Sequence, residues 1–461
     1  MNQARKRTGT KKVLSMILVL VMLLSLLSMA AFTLPTAAAS SDSAASNDDF
    51  MRIFHLDCGR KYFSVSEIKG IIDQLAANHY THLQLAFGND GLRFLLKDMS
   101  VTVNGTEYAS ARVTSAIKQG NKNLTSGSSG ELSESEMDGI ITYANDHGIQ
   151  IIPMFNAPGH MYTAVNAMTS LGINGKINKV STLSDGRTSN WAVDPTDATA
   201  VEFAEALLQK YVAYFANKRS TMFNIGADES GLNKDNYASY AAMVNGMNTI
   251  VKKAGMTTLA YNDGIYRAAY AESQPNVTFD NDIVICYWTE DGSASVADFL
   301  SKDFKILNNN NAWYYVLGDY LKHAWNSEQW SYKTASSGVQ NTPVTKMMGY
   351  TGTEQPIGSI LCVWCDAPGV DYNGYGYITK DKTTQQCVYD LIKAMADANP
   401  TYFTDKVKLP ATDTDDQVSV VVTGKKGQTA TVDAKSVTSS YTFDAEMVEK
   451  VASYNVTPKV E

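Results

Sequence analysis

Asp228 and Glu229 stand side by side at the end of an apolar run, Phe223-Asn224-Ile225-Gly226-Ala227-Asp228-Glu229. Neighbouring side chains on a strand diverge, so both carboxyls can enter one pocket only where the strand stops and breaks into its loop. Repulsion between them and partial burial would raise one pKa and keep a proton available for a leaving group. The plainer reading is a helix start, which also favours Asp and Glu; the strand context argues for the pocket. Trp364 and Asp366, two apart, put an aromatic and a carboxylate on one strand face, a pairing suited to a ring with an apolar face and a hydroxylated edge. Trp288 and Trp313 are candidate further walls, or else core. His160 in Pro158-Gly159-His160 is a site candidate or a satisfied loop histidine, and Arg52 could pair with a barrel carboxylate.

Eight short apolar runs could carry these residues: Ile53–Leu56, His82–Ala86, Ile151–Phe155, Met222–Ile225, Thr258–Tyr261, Ile283–Tyr287, Phe304–Leu307 and Ser359–Trp364. Segments of helical period separate them, and Ser64/Glu67 and Ser133/Glu136 have capping-box spacing. Eight strand-plus-crossover units predict an α/β fold, a closed (β/α)8 TIM barrel over residues 52–405 with long βα loops. An open doubly wound sheet has the same local signature, but no Gly-rich phosphate turn follows the first run. Polar or aromatic residues follow the runs in turn: Asp57 and Arg60, Asn89 and Asp90, Asn156 and His160, Asp228 and Glu229, Asn262 and Asp263, Trp288, Trp313 with Tyr314 and Tyr315, and Trp364 with Asp366. Eight consecutive strand ends of this kind predict a lined pocket at the C-terminal face. The segments Asp90–Ser133 and Asn156–Asp194 are expected as loop excursions over the mouth.

Composition bounds the rest. The 461 residues are 44% hydrophobic and 19% charged, which excludes a disordered chain or a small disulfide scaffold. Residues 1–39 read as a signal peptide: a basic start through Lys12, an apolar run from Val13 to about Phe32, then small residues after Pro35. The chain is therefore expected to be secreted or held at a cell surface. That segment holds five of the 39 Lys and Arg and none of the 47 Asp and Glu, so the remainder carries 34 against 47, a net charge of −13. Such a surface repels phosphate backbones, and no nucleic-acid partner is expected. No His/Cys cluster has metal-ligand spacing and no G-x-S-x-G elbow occurs, so neither a metal nor a cofactor is indicated. The five Cys are expected as buried thiols, Cys362 and Cys365 pointing to opposite strand faces. Residues 40–51 read as a short linker, and 406–461 as an acidic linker with a β-rich extension, strands falling near Val418–Val422 and Thr429–Val432.

With these residues in place, the stretch from Arg52 to Phe403 resembles family 20 glycoside hydrolases, the β-N-acetylhexosaminidases. The resemblance rests on an ordered set: Arg52 five residues before Asp57, Gly59-Arg60-Lys61-Tyr62-Phe63, Asn89-Asp90-Gly91-Leu92-Arg93-Phe94, Pro158-Gly159-His160, Gly226-Ala227-Asp228-Glu229, Trp313-Tyr314 and Trp364-x-Asp366. It implies a retaining hydrolysis in which the substrate's own 2-acetamido oxygen attacks the anomeric carbon, giving an oxazolinium intermediate. In that scheme Glu229 is the general acid and base, Asp228 orients the acetamido group, and Tyr314 donates to the acetamido oxygen. Trp288, Trp313 and Trp364 box the sugar, with Arg52 and Asp366 holding its ring hydroxyls. Where many relatives have Glu and Asp in the segment before Pro-Gly-His, this chain has Pro153-Met154-Phe155-Asn156-Ala157, which weakens the expected relay through His160, although Asn156 could still hold an amide link. The resemblance implies exo-removal of terminal β-linked N-acetylglucosamine or N-acetylgalactosamine from glycans. A lacto-N-biosidase releasing a disaccharide and an inactive glycan-binding adhesin are the alternatives. Retention of both Asp228 and Glu229 argues against the adhesin, since binding needs no proton donor.

Overall fold

The computed structural model describes residues 50–124, 130–182, 188–218, 220–317, 330–366 and 383–404, together with short C-terminal strands. The expected export signal lies outside the described residues. All eight apolar runs are strands: β1 (Met51–Leu56), β2 (His82–Asn89), β3 (Gln150–Ala157), β4 (Met222–Gly226), β5 (Thr257–Tyr261), β6 (Val284–Tyr287), β7 (Ile306–Asn308) and β8 (Gly358–Trp364). Each pairs in parallel with the next, and β1 pairs with both β2 and β8, so the sheet closes into an eight-stranded (β/α)8 barrel. Strands covered on both faces need apolar side chains on both, which is why they read as unbroken runs.

Alternation along the strands divides the core in two. Ile53, Ile152, Met154, Leu259, Cys286, Leu307, Ile360 and Cys362 fill the barrel. Phe54, Leu56, Leu83, Phe155, Phe223, Ile285 and Val363 face the helix layer. Burying each large side chain is worth about 1.5–3 kcal/mol, so displacing a strand by one residue, which swaps these sets, is prohibitive. Both anticipated capping boxes form, Ser64 opening the helix Val65–Ala77 and Ser133 the helix Glu134–Asp146. All five cysteines are free and buried, Cys362 inside the barrel and Cys365 outside it.

Two expectations need correction. Asp90–Ser133 is not a plain loop: it carries a hairpin at Val101–Val103 and Thr106–Tyr108 and a helix at Ser110–Leu124. Asn156–Asp194 likewise contains a helix at Tyr162–Ser170 and an antiparallel pair, Ile177–Thr182 with Thr188–Val193. Beyond the barrel, strands run at Gln417–Gly424, Thr429–Ala434, Val437–Thr442 and Val448–Asn455, the first two where alternation placed them.

Candidate active site

β4 ends in a run of left-handed backbone: φ is 73° at Gly226, 65° at Ala227 and 43° at Glu229. Only Gly takes such angles freely, so the surroundings must hold the others there. Gly159 packs so closely that a side chain on it would strike the Asp228 carbonyl, and the Tyr240 hydroxyl donates to the Ala227 carbonyl. The turn thereby directs two adjacent carboxyls to one end of the barrel. Asp228 is buried, whereas the Glu229 side chain is 51% exposed. Asp90 and His160, which face this turn, also have positive φ, 55° and 50°.

A polar relay links these loops. Asn156 Nδ2 donates to Asp228 Oδ1 at 2.6 Å and lies 3.2 Å from Asn89 Oδ1. His160 Nε2 is 3.1 Å from Glu229 Oε2 and 4.0 Å from Asp228 Oδ2, while its Nδ1 is 3.1 Å from Asp90 Oδ2. Burial and the Arg60 charge would lower the basicity of His160, but the Asp90 charge and the hydrogen bonds to Asp90 and Glu229 together raise its pKa well above the ordinary value. The imidazolium then donates Nδ1–H to Asp90 and Nε2–H to Glu229. Asp90 in turn is lowered, His160 and Arg60 overcoming its burial. The absence of a carboxylate at 156 therefore leaves the relay intact: Asn156 holds Asp228, and Asp90 serves His160.

The two central carboxyls are pushed apart. Burial and the charge of Glu229 raise Asp228 against the opposing pull of His160. Burial would raise Glu229 too, but the hydrogen bond and charge of His160, with Arg60 behind it, bring it below its usual value. A third carboxyl, Asp263 after β5, is raised to about 7 by burial and by Asp228.

Arg60 anchors the opposite wall. Its guanidinium meets Asp90 at 2.9 Å and Asp57 and Asp366 at 3.1 Å each, and its Nη2 lies 3.0 Å from His160 Nδ1. Asp366, with a third of its side chain exposed, is raised by desolvation while Arg60 opposes the shift. The floor is aromatic: Trp288 stacks on Tyr314 at 6.3 Å, Tyr314 meets Trp364 at 5.9 Å, and Trp364 rests on His55 at 4.1 Å. Two buried donors face the barrel: Trp364 Nε1 has no hydrogen-bond partner among the described residues, and the Tyr314 hydroxyl meets the Cys362 thiol. No cluster of potential metal ligands occurs among the described residues.

The structure thus brings together Asp228, Glu229, Tyr314, His160, Trp288, Trp364 and Asp366. It places two expected residues elsewhere. Arg52 lies at the first turn of β1, the opposite end of the barrel, with its guanidinium on the carbonyls of His79 and Tyr402. Arg60 takes the place beside Asp366 expected for Arg52. Trp313 is fully buried in the outer layer, its indole N–H on the Thr342 carbonyl, so it is no pocket wall. Tyr314 faces the barrel interior and Tyr315 the helices, which fixes the register between them. Sequence reading noted Arg60, Asp90, Asn156 and Asp263 at strand ends without giving them these contacts, and it missed Trp330, 6.3 Å from Tyr314. A rule already in hand separates the two arginines: Arg60 follows its strand and Arg52 begins it.

The catalytic-domain model of glycosyl hydrolase family 20 matches residues 51–373. Structures of the pneumococcal virulence factor StrH are similar, with TM-score 0.66, 31% identity, and 78% of this chain and 85% of that one covered. A second, titled for the tandem catalytic modules of the pneumococcal exo-β-D-N-acetylglucosaminidase StrH, gives TM-score 0.67 and 30% identity over 79% and 86%. Among curated sequences, the Bifidobacterium bifidum lacto-N-biosidase is 25% identical over 196 residues, 38% of this chain. The Vibrio furnissii β-hexosaminidase is 26% identical over 183 residues, also 38% of this chain. The chain spans only 16% and 28% of those two proteins.

Proposed function

The chain belongs to glycosyl hydrolase family 20, and from that membership we propose that it is an exo-acting β-N-acetylhexosaminidase working by substrate-assisted catalysis. The observation that carries this reading is the pair at the end of β4, a buried Asp228 held by Asn156 beside a half-exposed Glu229 held by His160. No other carboxyl needs to act as nucleophile. The 2-acetamido oxygen of a bound sugar attacks C1 while Glu229 gives its proton to the departing glycosidic oxygen. The oxazolinium so formed is opened by a water that returns its proton to Glu229, and two inversions give retention.

In the free site the proton preference runs against these roles, since Glu229 is lowered and Asp228 raised. Substrate supplies the reversal. An acetamido N–H donating to Asp228 favours its ionised form, and a sugar covering Glu229 removes it from water, favouring the protonated acid. The buried donor on Tyr314 suits the acetamido oxygen, with Trp288 and Trp364 walling the methyl group and ring. Arg60 and Asp366, 3.1 Å apart at the mouth, are a donor and an acceptor suited to adjacent ring hydroxyls. A charged pair gripping that end of the sugar favours release of one terminal residue over a disaccharide. The basic, apolar start of the chain supports export.

The test is hydrolysis of a chromogenic β-N-acetylglucosaminide by the native chain and by Glu229→Gln. Proton transfer contributes about 10²- to 10⁴-fold, and kcat should fall by that factor with KM little changed. Equal turnover by both proteins would remove Glu229 from the reaction.

A further inference from the structure

Asp263 is a carboxyl that the proposed mechanism does not use, yet it touches two of its parts. Its Oδ2 accepts the backbone N–H of Glu229 at 2.9 Å, and its Oδ1 accepts the indole N–H of Trp288 at 3.2 Å. Two separate N–H donors, one on each oxygen, fit a carboxylate; an amide could accept only one of them. The preceding residue continues the pattern, since Asn262 Oδ1 accepts the Trp288 backbone N–H at 2.8 Å and its Nδ2 donates to the Thr289 carbonyl. One dipeptide after β5 therefore ties the acid-bearing turn after β4 to the aromatic wall after β6. The tie to Glu229 falls on a residue whose φ is 43°, where an unsupported glutamate would relax.

Building on the reading above, we propose that Asp263 is a positioning residue that fixes the acid/base Glu229 through its main chain and the Trp288 wall through its indole, so that proton donor and sugar face keep their relative placement. The groups around it are mostly of its own sign. Asp228 and Glu229 face it from the turn after β4, the buried Tyr240 hydroxyl from the helix Tyr237–Lys253, and Arg267 binds its main-chain carbonyl at 3.0 Å. On the far side of that pair, His160 lies 4.0 Å from Asp228. Asp263 accordingly has its pKa near 7, raised first by burial and then by the charges of Asp228 and Glu229.

Asp263→Asn tests this with measurements that a general loss of packing does not imitate. Compared with the native chain, kcat on a β-N-acetylglucosaminide should fall about 10- to 100-fold with KM within about three-fold. The loss should also be larger for a poor leaving group such as a sugar than for 4-nitrophenol, because only the former needs a well-placed acid. Trp288→Phe, which removes one of the two donors and keeps an aromatic wall, should lower kcat less and combine with Asp263→Asn less than additively. A loss of equal size for good and poor leaving groups would overturn the proposal. If Asp263→Asn does not fold, full additivity between Trp288→Phe and Asp263→Glu would do so. A native chain without β-N-acetylglucosaminidase activity would instead count against the reading of the reaction.

Discussion

His160 sits between two carboxylates of different duty. Asp90 holds one side of its ring, and Glu229 takes the other at 3.1 Å. The charged ring stabilises ionised Glu229, so removing it should raise the pKa of that carboxyl. His160→Asn is expected to move the alkaline limb of kcat/KM to higher pH by about half a unit or more, while lowering the maximum. The pH profile checks it, and an alkaline limb that stays put or moves acidward would mean that His160 does not govern Glu229. His160 itself was legible as a candidate from Pro158-Gly159-His160, but its partner was not. The usual carboxylate is missing at 156, and its work is divided between Asn156, which donates to Asp228, and Asp90, 70 residues upstream, which holds the imidazolium.

The strands show what a sequence pattern conveys and where it stops. All eight were readable because a parallel barrel strand is apolar on both faces, and the helices after β1 and before β3 because their capping boxes are local. The helix Ser110–Leu124 was not. Its Gly120 and Asn121 look like loop residues, yet Gly120 permits close approach to Thr163, and Asn121 exchanges two hydrogen bonds with the Leu92 backbone. Tertiary contact there overrides propensity. The 3-10 turn Asn311–Trp313 hid the register of Trp313 and Tyr314 in the same way, by rotating the chain between strand and pocket. Arg52 was misassigned because side-chain type was weighed without position along the strand. Bound to carbonyls of His79 and Tyr402, it closes the end of the barrel remote from the site. Arg52→Met should therefore destabilise the fold by about 1.5–3 kcal/mol, seen as a lower denaturation midpoint, and leave KM for the sugar unchanged. A KM rise of ten-fold or more in a fully stable variant would return Arg52 to the pocket.

Closure of the barrel is what assembles the site. Asp366 and Arg60 are 306 residues apart in sequence, and the Cys365 N–H reaches back to Asp57 across the same seam between β8 and β1. The carboxyl pair, the relay and the aromatic floor come from different strand ends, so no fragment of the chain could hold them in order. The negative balance outside the first 39 residues agrees with a neutral glycan as substrate. All of this serves one chemical claim, that the sugar's acetamido oxygen is the nucleophile while Asp228 and Glu229 handle charge and proton. The direct measurement is kcat/KM on a series of aryl glycosides whose 2-acetamido methyl carries zero, one, two or three fluorines. Each fluorine weakens that oxygen, so the account predicts a steep, progressive fall in rate across the series; a flat series would show that another group attacks the anomeric carbon.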